Sequence, residues 1–436
     1  MGPMSVTAQG STSGVGTAQG STTAIISAQS VEEAAGRLAG VIIETPLQFN
    51  KRLSDSTGAQ VWLKREDLQP VRSYKLRGAY NMICQLDGAE RAAGVVCASA
   101  GNHGQGVAFA CARLGISGTI VVPSTTPRQK RQRMRQLGAG WIELIVHGDT
   151  YDEAAARADE IVATQGRRMV PAFDDVRTIA GQGTVAAEIV RQLGRAPDTL
   201  IVPVGGGGMI GGCLTWLAER HPGTKVVGAE PSGAASMAAA LEAGRPRALP
   251  KLDTFVDGAA VRRVGEVTFD VARRLKPHMF SVPEGRICSE MLELYQTDGI
   301  IAEPAGALAT AALGIYKPSA GRVVVAVVSG GNNDLSRYAE IVERALVYEG
   351  RKHYFLVNFP QEPGALRRFL DDVLGPDDDI TLFEYVKRSN RETGPALVGI
   401  ELGEPADLGG LLERMAHSRI IVERIAPDSP FYRFLV

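Results

Sequence analysis

From about Val31 onward the chain alternates short, unbroken apolar runs with longer stretches of helical periodicity, and this alternation restricts the fold more than any other feature. The runs cover 95–98, 119–123, 141–147, 200–204, 225–230 and 322–329 and are rich in β-branched residues, R-V-V-V-A-V-V-S being the extreme case. A strand that is apolar at every position is buried on both faces, and strands of that kind separated by helices pair in parallel beneath helical layers. The expected core is therefore α/β. Between 270 and 320 the pattern is mainly helical. After Gly350 it changes to strand 353–359, helix 364–374, strands 380–386 and 396–402, helix 406–416 and strand 420–425. The order βαββαβ is that of a ferredoxin-like unit, two helices on one face of an antiparallel sheet, and it sets a domain boundary near Glu349.

A length of 436 residues fits two or three domains at a prior of ~150 each. With 47 basic and 48 acidic residues the chain has no overall field for polyanions, so neither nucleic acid nor a membrane surface is expected as a partner. The basic run from Arg128 to Arg135 has helical spacing and no interleaved aromatics, which makes it a solvated helix face. No apolar run reaches the ~18 residues of a membrane span, and the N-terminus lacks a signal-peptide plan, so a cytoplasmic location is expected. Five cysteines, odd in number and without a C-x-x-C pair, read as buried free thiols in a reducing compartment. Residues 1–27 form a flexible tail by composition, with T-A-Q-G-S-T occurring at 7–12 and again at 17–22.

The chemistry lies in the glycines, which number 50, about 11% of the chain against a usual ~7%. Three Gly-bearing loops each follow an apolar strand: S-A-G-N-H-G-Q-G at 99–106, G-G-G-G-M at 205–209, and S-G-G-N at 329–332. In parallel sheets ligands bind beyond the carboxyl ends of the strands, so all three loops are candidates for one crevice. Gly205, Gly206, Gly207 and Gly208 open a helix, where backbone N–H groups and the helix dipole suit a phosphate. The absence of G-K-[ST] excludes a Walker loop. A dinucleotide remains an alternative, because Gly206, Gly208 and Gly211 satisfy G-x-G-x-x-G and Glu230 follows 19 residues later, where a ribose-binding acid would sit. That reading makes a nicotinamide-dependent oxidoreductase.

S-Y-K-L-R-G-A-Y-N at 73–81 places Lys75 at the start of an apolar helical pattern, a setting that can free a lysine amine as a nucleophile. Taken in order, S-Y-K-L-R-G-A, S-A-G-N-H-G-Q-G, G-G-G-G-M, E-P-A-G (303–306) and S-G-G-N resemble the fold-type II pyridoxal phosphate enzymes, and among them the threonine dehydratases (threonine ammonia-lyases). The resemblance covers about 31–345. It implies a core over 28–348 with a smaller subdomain, roughly 67–165, inserted in the larger one, and an ACT-like regulatory domain over 349–436. It makes Lys75 the Schiff-base lysine and the residues Gly205 to Gly208 with Met209 the phosphate cup. Asn102 would meet the ring hydroxyl and Ser329 the pyridine nitrogen, where a hydroxyl leaves the ring a weaker electron sink than a carboxylate would, as suits elimination. Ser99, Ala100, Gly101, Asn102 and His103 would hold the amino-acid substrate, and Glu303 is the next acid expected near the cofactor.

The same resemblance implies β-elimination of water from L-threonine, giving 2-oxobutanoate and ammonia on the way to isoleucine. Serine racemases carry a second serine where this chain has Ala100, which disfavours racemisation, and Ser236 stands where their divalent-cation site has an aspartate, so no metal is assigned. The turn F-P-Q-E-P-G-A-L at 359–366 resembles the one with which ACT-like domains bind amino acids, which implies isoleucine as effector. Exposed sheet edges in such a unit suit subunit pairing, and a homo-oligomer, a tetramer, is expected. A non-catalytic amino-acid sensor is the other alternative.

Overall fold

Val323–Val328, the most apolar run of the chain, is a central strand buried on both faces. Val324, Ala326 and Val328 enter one core, with the helices Glu284–Gln296, Pro304–Ala311 and Tyr338–Tyr348. Val325 and Val327 enter the other, with Ala28–Leu38, Val176–Leu193 and Gly208–Arg220. The strand thus shows the two-sided burial that its lack of alternation predicts. The computed structural model describes residues 26–385, 392–418, 420–426, 429, 431, 432 and 435.

The six-stranded sheet around it runs Leu47–Phe49, Gln60–Arg65, Val323–Val328, Thr199–Pro203, Lys225–Pro231, His278–Val282, antiparallel in the first pair and parallel in the rest. A second, wholly parallel sheet has the order Ile142–Val146, Gly118–Val122, Val95–Ala98, Arg168–Met169. The helices Lys75–Ile83 and Asn102–Leu114 cover one face of it and Tyr151–Gln165 the other. Both sheets are those of the α/β core expected from the apolar runs. The basic run lies on the helix Arg128–Gly138, of which only Met134 and Gly138 are buried.

Four strands escape the sequence pattern, and Gln60–Arg65 shows why. Its Lys64 is fully buried, with Nζ donating to Glu188 Oε1 at 2.5 Å, Gln192 Oε1 at 2.9 Å and the Thr45 carbonyl at 2.7 Å. A charged residue satisfied in the core breaks an apolar run in sequence without breaking the strand. His278–Val282 lies at the sheet edge with only Val282 buried, so no apolar run marks it in a stretch expected to be mainly helical.

The C-terminal unit is a four-stranded antiparallel sheet in the order Asp379–Tyr385, Thr393–Glu401, Lys352–Pro360, Ile421–Ile425. The helices Ala365–Val373 and Leu408–His417 pack Phe369, Val373, Leu411 and Met415 against Phe355, Val357, Val398 and Ile400. This is the ferredoxin-like arrangement expected from the βαββαβ order; Val386, the expected end of its second strand, lies outside the described residues. Of the tail expected over 1–27, residues 1–25 also lie outside them. Ile26 is buried, and Ser27 caps the first helix through a reciprocal pair of bonds with Ser30, so these two belong to the fold. All five cysteines are free thiols, four of them buried. Among the described residues no helix is long and apolar enough to cross a membrane.

Candidate active site

Thr199–Pro203 and Val323–Val328 are parallel neighbours, so the loops that leave their carboxyl ends, 205–208 and 329–332, lie side by side. Lys75 is stitched to the second of them. Tyr74 N–H donates to the Ser329 carbonyl at 3.1 Å, Gly331 N–H donates to the Arg72 carbonyl at 2.9 Å, and Ser73 forms an isolated bridge with Gly330. The turn passes through Arg72 at φ 55°, a left-handed backbone that a non-glycine residue enters at a cost. Lys75 then begins the helix Lys75–Ile83, half-buried, with Nζ 3.4 Å from the Ala172 carbonyl.

The tetraglycine is a cradle with no room for side chains. A Cβ on Gly206 would lie 2.2 Å from the Phe173 ring, and one on Gly207 would lie 2.7 Å from Met237 Cε. Gly207 also has φ 94°, which caps the helix Gly208–Arg220. The first N–H groups of that helix, from Gly208 and Met209, have no partner within it and form a natural anion site. Thr268 Oγ1 fixes the loop by donating to the Gly206 carbonyl at 2.7 Å.

Ser99 Oγ faces its own loop, accepting from Gly101 N–H at 3.3 Å and Gly104 N–H at 3.0 Å, so its hydroxyl shapes the turn that carries Ala100, Gly101 and Asn102. His103 is 4% exposed, and its Nε2 donates to the Val170 carbonyl at 2.8 Å. Burial, with Lys75 beside it, depresses this imidazole to about 4, so the ring is neutral at pH 7. The unfolded chain has its histidine near 6.5, so this group's contribution to stability is complete above that value and is lost as pH falls through the folded value of about 4. The loss is on the order of 3 kcal/mol. Urea unfolding between pH 7 and 4 should show it, and His103→Gln, which can still donate to Val170, should flatten that part of the profile.

Glu303 is 5% exposed, and its carboxyl is raised to about 7 by burial and by Asp257. Asn102 Nδ2 donates to it at 2.5 Å. Ser329, 3% exposed, donates to the Ala305 carbonyl at 3.1 Å. Lys75 and Ser329 are thus joined through one backbone seam, Asn102 meets Glu303, and Phe173, next to the Ala172 that Lys75 approaches, lies against the tetraglycine. Glu230 is not among them. It is 1% exposed and accepts from Met237 N–H at 2.6 Å and Ala238 N–H at 2.9 Å, capping the helix Ser236–Ala243, so the ribose-binding role that the dinucleotide alternative needs is ruled out by its geometry. Spacing along the chain had placed an acid at the right distance; the side chain turns into the protein instead.

Sequence reasoning missed the segment P-A-F-D-D at 171–175. Ala172 meets Lys75, Phe173 walls the tetraglycine, and Asp174 caps the helix Glu266–Leu275 by accepting from Glu266 and Val267 N–H at 2.9 Å. It follows a strand of two residues, Arg168–Met169, and contains no glycine, so neither an apolar run nor a loop signature announces it.

Residues 38–330 match the family described as pyridoxal-phosphate dependent enzyme, and residues 343–435 match the C-terminal regulatory domain of threonine dehydratase. The chain is 60% identical over 413 residues to the biosynthetic L-threonine dehydratase IlvA of Mycobacterium tuberculosis (strain ATCC 25618 / H37Rv), spanning 94% of this chain and 96% of that one. With its counterpart in Bacillus subtilis (strain 168) the identity is 49% over 412 residues, 94% and 98% of the two chains. Among solved structures, the processed form of threonine deaminase isoform 2 from Solanum lycopersicum has a TM-score of 0.69 at 41% identity, covering 73% of this chain and 92% of that one. Maize serine racemase has a TM-score of 0.68 at 29% identity, covering 74% and 99%. With likeness of this extent over both its parts, the chain belongs to the pyridoxal-phosphate-dependent enzymes, in the group of the biosynthetic L-threonine dehydratases.

Proposed function

We propose that the protein deaminates L-threonine to 2-oxobutanoate and ammonia by pyridoxal phosphate-dependent β-elimination of water, at the start of isoleucine synthesis, with Lys75 as the cofactor-bearing residue. The observation that carries this reading is that Lys75 follows a turn bonded to the Ser329 loop and reaches the Ala172 carbonyl, next to the Phe173 that walls the glycine cradle, in a chain with such relatives. The residues present fit a phosphorylated aromatic aldehyde. The cradle at 205–208 has backbone N–H groups and no side chains, and the Ser73 hydroxyl beside Lys75 is buried without a hydrogen-bond partner among the described residues. Gly205, Gly206, Gly207, Gly208 and Met209 would hold the phosphate, Asn102 the ring hydroxyl and Ser329 the ring nitrogen.

When bound, the cofactor supplies an aldehyde for the substrate amine and an electron sink that acidifies the α-carbon. Lys75 Nζ takes the α-proton. The freed electron pair forms the Cα–Cβ double bond as the β-hydroxyl, given a proton by the Lys75 ammonium, leaves as water, and the released enamine takes up water to give 2-oxobutanoate and ammonia. The backbone of Ser99, Ala100 and Gly101, with Asn102 and His103 opening the helix, would orient the substrate carboxylate. Ala100 has no proton to deliver to the opposite face of the α-carbon, which separates this site from racemisation. Purified protein with added cofactor should form 2-oxobutanoate from threonine in step with ammonia; formation of D-allo-threonine, the α-epimer, without ammonia would refute the reading.

The reading extends to a catalytic part over 28–348 and a regulatory part over 349–436, in a cytoplasmic homotetramer that binds isoleucine. A cleft of about 790 Å³ in the regulatory part supports the effector: Pro360, Glu362 and Ala365 of the expected turn line it, with Arg368 and Arg414 for a carboxylate, Asp372 for an ammonium, and Val373 and Ile420 for an aliphatic side chain. Coupling between such sites is typically ~1–3 kcal/mol, a change of roughly 5- to 150-fold in affinity. Truncation after Glu349 should abolish the isoleucine response, and a truncated enzyme as sensitive as the full chain would contradict the assignment.

A further inference from the structure

The S-G-G-N loop ends in Asn332, to which the mechanism above gives no task, yet its side chain lies in a directional chain of hydrogen bonds. Asn332 Nδ2 donates to the Val71 carbonyl at 2.8 Å and to Asn102 Oδ1 at 2.7 Å. Asn102 Nδ2 then donates to Glu303 Oε1 at 2.5 Å. An amide side chain has nearly the same shape with its oxygen and nitrogen exchanged, so its partners alone decide which end faces which way. Here every link is polarised. The Val71 carbonyl can only accept, which turns the Asn332 amino group toward it and toward Asn102. The Asn102 oxygen must then face Asn332, which leaves its nitrogen to donate to Oε1 of Glu303. One N–H of Asn102 has no acceptor among the described residues.

The far end of this chain is held firmly. Glu303 N–H donates to the Gly330 carbonyl at 3.1 Å, and the Gly330 backbone packs so closely that a Cβ there would lie 2.4 Å from Glu303 Oε1. Buried and also accepting from the Asn332 backbone, the Glu303 carboxyl is held beside the Asn102 amide. The near end is anchored in the backbone of the segment that leads into Lys75, so one set of bonds fixes Asn102 relative to the lysine.

We propose that Asn332 is a positioning residue that fixes the Asn102 amide so that its N–H, not its carbonyl, faces the ring oxygen of the cofactor. This rests on the reading that Asn102 meets that oxygen. A phenolic oxygen adjoining an electron-poor ring carries negative charge, so an amide turned the other way would set oxygen against oxygen, and the loss is one charge-assisted hydrogen bond together with a repulsion.

The test uses the full chain and measures the affinity of the apoenzyme for pyridoxal phosphate, by absorbance titration, and the position of the bound cofactor's absorption band. Asn332→Asp cannot donate to Asn102 or to Val71; its cofactor Kd should rise about 10-fold and its band should shift. Asn332→Ala removes the donor without adding charge and should move both readouts the same way by less; it carries the comparison if the aspartate variant fails to fold. Glu303→Gln keeps an oxygen acceptor for Asn102 and should displace the band less than Asn332→Asp does. Asn102→Ala is the reference for the underlying reading. If it shifts the band while both Asn332 variants keep the wild-type band and affinity and lose only melting temperature, Asn332 merely locks its loop and the proposal fails alone. If Asn102→Ala also leaves both readouts unchanged, Asn102 does not meet the ring, and the underlying reading falls with the proposal.

Discussion

Replacing Lys75 with alanine lowers threonine turnover by a factor on the order of 10⁴ or more and leaves the fold intact. The size follows from the two tasks assigned to one amine, carrying the cofactor and taking the α-proton; no neighbouring group can assume either. Among the described residues its amine makes one 3.4 Å approach to the Ala172 carbonyl and lies 5.3 Å from the Tyr74 ring, so its loss removes little stabilising energy. The helix Lys75–Ile83 is held by other residues, with Leu76, Ala79, Met82 and Ile83 in the core. Ammonia release, the visible absorption of the purified protein and its thermal unfolding together check this: activity and the wild-type absorption disappear while the melting temperature stays close to that of the parent apoenzyme. A variant that retains a tenth of its activity would contradict the role given to Lys75.

Two residues further on, Arg77→Met should have the opposite profile, a large loss of stability. Arg77 is fully buried and clasps Glu66 with two bonds, Nε to Oε2 at 2.8 Å and Nη2 to Oε1 at 2.7 Å, while Nη1 reaches Glu188 Oε2 at 3.0 Å. Lys64 completes a neutral set of two cations and two carboxylates. Burial acts to raise the Glu66 carboxyl, but Arg77 and Lys64 outweigh it and hold that carboxyl below its ordinary range. Removing Arg77 strands one negative charge in the core, which costs about 3–5 kcal/mol. Removing both charges of the clasp, Arg77→Met with Glu66→Leu, leaves the Lys64–Glu188 pair neutral and should recover much of that loss. Urea unfolding of the single and double variants measures it; equal destabilisation by the two would show that packing, not charge, sets the cost.

These two residues also mark what the sequence could and could not convey. The apolar runs at 200–204 and 322–329 were legible as buried parallel strands because nothing polar interrupts them, and with them came the position of two glycine loops at one sheet edge. Gln60–Arg65 was not legible, because Lys64 and its partner Glu188 lie 124 residues apart and only the fold makes the charge tolerable in the core. Within the site, Lys75, the tetraglycine and Ser329 announce themselves through glycine and motif order. Phe173 and Asp174 do not, since each acts through a contact between distant segments, and Asn332, though it closes the S-G-G-N motif, shows its bonds to Val71 and Asn102 only in the fold. Glu230 is the converse case, where a spacing that suits a ribose contact belongs to an acid that caps a helix.

Borohydride reduction of the holoenzyme followed by peptide mass mapping identifies the lysine that carries the cofactor. A pyridoxyl group is expected on Lys75, in the peptide that contains S-Y-K. The same label on Lys64, on Lys225 or on no lysine at all would contradict it.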